Sequence, residues 1–76
     1  MKLRGVIEAG QVFINKMGAV IVVTKTTLDT NEVDFLIEYK IASSAVNYYD
    51  HKYEYKLQKE ESFIEMLKAN YYISIS

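Results

Sequence analysis

The chain has 76 residues, enough for one small domain spanning 1–76, and half of them are hydrophobic, too apolar for a disordered chain. Nine basic against ten acidic residues leave a formal net charge of −1, which gives no general pull toward nucleic-acid phosphates and is too weak for an acidic DNA mimic. With no cysteine and one histidine, a disulfide framework, a cysteine-based zinc site and a histidine cluster are all excluded.

Leu3–Ile7 reads as a short first strand, followed by a turn at Ala9-Gly10. Val12–Asn15 is a second short strand, and Lys16-Met17-Gly18 a tight connection in which Gly18 can take the positive φ of a hairpin turn. Ala19–Thr27 carries Val and Ile on both faces, as in a central or sharply bent strand. Asp29-Thr30-Asn31-Glu32 is a turn, because Asp and Asn bond their own backbone.

Two runs alternate with period 2. In Val33–Ile41 the residues Val33, Phe35, Ile37, Tyr39 and Ile41 share a face. In His51–Leu57 the residues Tyr53, Tyr55 and Leu57 share one, opposite Lys52, Glu54 and Lys56. Such strands are half-buried, and the apolar face of each is expected on the core. Ala42–Asp50 between them lacks periodicity and reads as a loop.

The period then changes. Phe63, Met66, Leu67 and Tyr71, widened by Ile64, form a helical stripe over about 59–69. Glu60 and Glu61 suit its first turn and Lys68 its last. Ser62 with Glu65 matches a capping box, and Asn70 suits a left-handed stop. Tyr71–Ile75 reads as a closing strand. The predicted fold is mostly β (α+β), either a small antiparallel SH3-like barrel or a curled sheet of about four to six strands, with one helix near the C-terminus.

The residues that could carry chemistry are few. His51, between Asp50 and Lys52, has no Ser or Cys nucleophile in a recognisable arrangement, so it reads as an exposed strand-start residue rather than a general base. The carboxylates are scattered, and Asp34, Glu38 and Glu54 fall on outward faces, where Lys40, Lys52 or Lys56 could pair with them. Asp29–Glu32 lacks the glycine and distal glutamate of a calcium loop. The three glycines are isolated, so no phosphate loop exists. No metal site, cofactor or enzymatic activity is expected.

Seven tyrosines remain. Tyrosine offers a broad apolar face and a hydroxyl at low entropic cost, which suits interfaces. Tyr39, Tyr53, Tyr55 and Tyr71 are expected in the core. Tyr48, Tyr49 and Tyr72 lie off the alternating faces and, with His51, are the candidate partner-binding residues. The uncharged, β-prone end at 71–76 would invite pairing with another chain at a sheet edge, giving a homo-oligomer.

Gly10-Gln11-Val12-Phe13, Asn15, Gly18, the Val20–Val23 strand and the ending Glu61-Ser62-Phe63-Ile64-Glu65-Met66-Leu67 resemble small bacteriophage proteins with SH3-like barrels. The resemblance spans most of the chain as a pattern of strands and glycines. It implies an accessory protein that binds and inhibits a host protein, in the host cytoplasm. The chain departs from cellular SH3 domains in having no Trp, which argues against proline-rich peptide binding.

The leading expectation is therefore a non-enzymatic binding protein with a protein partner. The alternative is a binder of nucleotides or single-stranded nucleic acid, stacking bases on Tyr48, Tyr49 and Tyr53 with Lys52, Lys56 and Lys59 near phosphates. A cytoplasmic location is expected, since the start has no apolar signal region and the longest apolar run, Ala19–Val23, is far short of the ~20 residues of a membrane span.

Overall fold

The computed structural model describes residues 6–31 and 34–75. Among these residues five strands form one antiparallel sheet in the order β4-β3-β2-β1-β5, with β4 and β5 at its margins. Of the two expected architectures this is the sheet, with a helix near the C-terminus. The strands are β1 (Val12–Ile14), β2 (Val20–Asp29), β3 (Asp34–Ala42), β4 (Glu54–Lys59) and β5 (Ile73–Ser74); a short helix α1 (Ala45–Tyr49) precedes β4 and the main helix α2 (Glu60–Ala69) follows it. The expected strand Leu3–Ile7 lies outside the described residues except for Val6 and Ile7, which are not in a strand.

The hairpin between β1 and β2 is closed by Asn15 and Gly18. Gly18 sits at φ +88°. The Asn15 carboxamide oxygen accepts from the backbone N–H groups of Met17 and Ala19, at 3.0 Å each. Between β2 and β3 the Asp29 carboxylate accepts from Asn31 N–H at 3.0 Å; Glu32, the last residue of that expected turn, and Val33, the first of the expected strand, lie outside the described residues. One extra residue, Thr24, bulges from β2 between Val23 and Lys25, and its hydroxyl donates to the Glu38 carbonyl.

Cross-strand partners share a face of the sheet. Phe13 opposes Ile21, and Val23 opposes Tyr39. With Ile37 they form the floor of a core whose roof is Phe63 and Leu67 of α2, with Ile7 alongside. Phe63 is fully buried, its ring 4.8 Å from that of Tyr39 and edge-on to Phe13 at 6.0 Å. The alternation predicted for β3 is therefore the observed one.

That predicted for β4 is reversed. Ile37 pairs with Gln58, Tyr39 with Lys56 and Ile41 with Glu54, so the polar residues of β4 share the core side of the sheet, while Tyr55 and Leu57 share the opposite face with Lys40 and Glu38. Period-2 alternation gives two faces but not which is inward, and a one-residue difference in register exchanges them. Here α2 starts directly at Glu60, and Phe63 and Leu67 fill the space above the sheet. At the margin, Gln58 suffices on the core side, its side-chain oxygen accepting from the Tyr39 hydroxyl at 2.7 Å.

Glu60 is the buried charged residue of the described chain, 3% exposed. Its carboxylate accepts from the backbone N–H groups of Val6 at 3.1 Å and Ile7 at 3.2 Å, which ties the first described residues to the start of α2. The expected capping box of Ser62 and Glu65 is not formed. The helix begins three residues earlier, with Lys59 at the N-cap and no side-chain cap bond. Its end also differs: Asn70 has φ −109°, and Tyr71 takes the left-handed position at φ 57°. Tyr72 N–H returns to the Leu67 carbonyl and Tyr71 N–H to that of Lys68, a Schellman motif.

Candidate binding site

The segment expected as a loop, Ala42–Asp50, contains α1. Its cap is Ser44, whose hydroxyl accepts from Asn47 N–H at 3.1 Å. Asn47 in turn donates from its side chain to the Ser43 hydroxyl at 2.7 Å. The helix ends as α2 does. Lys52 N–H bonds the Asn47 carbonyl and His51 N–H that of Tyr48, with His51 left-handed at φ 58°. Glycine is usual at this position; a side chain there costs roughly 1 kcal/mol.

This turn delivers an aromatic array. Tyr49 meets Tyr48 edge-on at 5.6 Å, Tyr48 meets Tyr53 at 5.8 Å, and Tyr53 meets Tyr55 at 6.4 Å. Tyr53 is the hub. Its hydroxyl donates to the Tyr48 carbonyl at 3.0 Å, and the Lys40 ammonium lies 4.4 Å over its ring. His51 Nδ1 lies 3.2 Å from the same hydroxyl oxygen. Because the tyrosine proton is committed to the carbonyl, this second bond requires a histidine proton on Nδ1. Tyr48 and Tyr53 are half-buried, whereas Tyr49 is 77% and Tyr55 74% exposed.

Beside Tyr53 lies an open groove of about 510 Å³, bordered by Ile41, Asn47, Lys52, Glu54 and Lys56. Its charged residues are two lysines and one glutamate, with Lys56 and Glu54 3.8 Å apart. Lys59 is drawn instead to Asp34, at 3.7 Å. Among the described residues no group of three or more His, Asp or Glu side chains is placed to hold a metal ion.

Of the four predicted site residues, the structure brings together Tyr48, Tyr49 and His51. Tyr72 stands apart, packed against the core with Ile64 and Met66. Burial raises the pKa of its hydroxyl, and burial also raises that of Tyr39, with the charge of Tyr72 adding to the effect. The core assignments need correction too. Tyr39 is buried, but Tyr55 and Tyr71 are exposed, and Tyr53 belongs to the surface array. Lys40 is the residue of this surface that sequence reasoning missed, and Tyr53 entered there only in the base-stacking alternative, the leading reading having placed it in the core. The available signal was Ser44 three residues before Asn47, a helix start that would have placed Tyr48 and Tyr49 in a helix packed near the entry to β4.

No family model, curated protein or solved structure matches the chain. No helix among the described residues is long and apolar enough to cross a membrane.

Proposed function

We propose that the chain is a non-enzymatic binding module whose contact surface is the array around Tyr53, presenting Tyr49 and His51 to a protein partner. The observation that carries this reading is the edge-on set Tyr49–Tyr48–Tyr53–His51 on a capped turn. Aromatic side chains held rigid before contact lose little entropy on binding, which is why tyrosines concentrate binding energy at interfaces. A left-handed histidine at the same turn is a local cost that presentation of its ring would explain. The resemblance to phage accessory proteins adds that the partner is a host protein.

Affinity capture with the whole chain and with Tyr49→Ala tests this. The expected result is a protein retained by the wild type and lost with the variant at unchanged circular dichroism. Equal retention by both would overturn it. The nucleic-acid reading draws on Lys52 and Lys56 beside Tyr53. It predicts single-stranded oligonucleotide binding that weakens steeply with salt.

A further inference from the structure

The longer margin of the sheet is β4, with six residues against two in β5, and β3 is its one strand neighbour among the described residues. We propose that a second copy of this chain pairs antiparallel with β4 about a twofold axis through Tyr55, so that the two sheets become one.

A twofold relating antiparallel neighbours runs perpendicular to the sheet. Paired side chains must share a face, so the axis passes through a residue rather than between two. That leaves few registers. An axis at Glu54, Lys56 or Lys59 opposes like charges on itself. An axis at Leu57 sets Lys56 against Gln58 and Tyr55 against Lys59, with no charge matched. An axis at Gln58 directs Lys56 at Glu60, which is buried and occupied with Val6 and Ile7. At Tyr55 alone the strand is complementary to itself. Glu54 faces Lys56 of the partner subunit, twice by symmetry, and Tyr53 faces the partner's Leu57, also twice. Tyr55 stacks on the partner's Tyr55.

Two further observations agree. Tyr55 and Leu57 are 74% and 59% exposed in a single chain, and this register puts them at the centre of the contact on the face away from α2. Lysines on a marginal strand normally repel a second strand. Here Lys56 lies by Glu54 and Lys59 by Asp34, so that protection is largely neutralised. The inference does not rest on the binding function proposed above: it shares Tyr53 with that surface but needs neither Tyr49 nor His51, which lie outside β4.

Sedimentation of the full chain over a wide concentration range is the test. Wild type is expected to dimerise reversibly. Glu54→Lys and Lys56→Glu, each opposing like charges twice, should raise the dimer dissociation constant by roughly ten- to a hundredfold. The double charge swap should restore it. Tyr55→Lys, placing two ammonium groups on the axis, should abolish the dimer. Both swapped residues are exposed, so unchanged circular dichroism is expected throughout. A monomer at every concentration would overturn the proposal, as would single reversals without effect or a swap that fails to restore. So would a dimer broken only by Ile73→Lys, which would place the contact at the C-terminal strand.

Discussion

The two faces of this sheet are built from similar residues and treated differently. One carries Phe13, Ile21, Val23, Ile37 and Tyr39 and is sealed by Phe63 and Leu67. The other carries Val12, Val22, Lys40 and Tyr55 in one cross-strand row and Ile73, Ile14, Val20 and Ala42 in the next, with α2 on the opposite side; Val20 and Ala42 are buried there, whereas Tyr55 and Ile73 at the margins are exposed. The difference lies in the helix: one amphipathic helix of ten residues can cover only one face. The lesson is that apolar residues on a strand report a surface suited to burial and do not say what buries it.

Substitutions can break this comparison. Phe63→Ala should cost the most, about 3–5 kcal/mol, since it empties the centre of the sealed face; a chemical-denaturation midpoint barely moved would mean that α2 is not the seal. Glu60→Ala leaves two backbone N–H groups without their carboxylate and should cost about 2 kcal/mol. His51→Gly relieves the left-handed turn and should raise stability by about 1 kcal/mol while removing the imidazole from the tyrosine array. Leu57→Thr, on the uncovered face of a marginal strand, should change monomer stability by no more than about 0.5 kcal/mol.

The smallest effect is a pH dependence confined to the sealed side. Tyr72 and Tyr39 have raised pKa values through burial. Below pH about 10 both hydroxyls are protonated, folded or not, and their contribution is constant. Above it the unfolded chain ionises first, so stability falls as pH rises until the folded-state pKa values are passed. Thermal melts between neutral and alkaline pH should show this decline, and it should be shallower in Tyr72→Phe. Equal slopes would mean that the Tyr72 hydroxyl is wetter than its position implies.

Much of the fold was legible. Phe35, Ile37 and Tyr39 announced β3, Gly18 and Asp29 their turns, and Phe63 with Leu67 the helix. What was not legible depends on other parts of the chain. The phase of β4 is decided by its pairing with β3 and by the helix that begins after it without a linker. Tyr55 therefore went to the wrong side, and Tyr53 with it. The left-handed positions fell on His51 and Tyr71 rather than on a glycine or asparagine, because hydrogen-bond geometry at the helix ends outweighs the intrinsic preference of one residue. The position of Tyr72 was not legible for the same reason: the turn at Tyr71 swings the next ring back onto the core. Of the candidate surface, Tyr48 and Tyr49 were singled out because they lie off the alternating faces and His51 as the lone histidine, signals that do not reveal the ring of Tyr53 between them.

The Glu60 carboxylate has a kinetic meaning as well. Its bond to Val6 joins positions 54 apart, so it closes a loop around nearly all of β1 to β4. Such closure gains nothing until the strands between have paired, which places it after the rate-limiting step of folding. Glu60→Ala should then leave the refolding rate almost untouched and speed unfolding by nearly the whole of its effect on stability. The carboxylate would act as a latch: it sets how long the molecule stays folded rather than how fast it gets there.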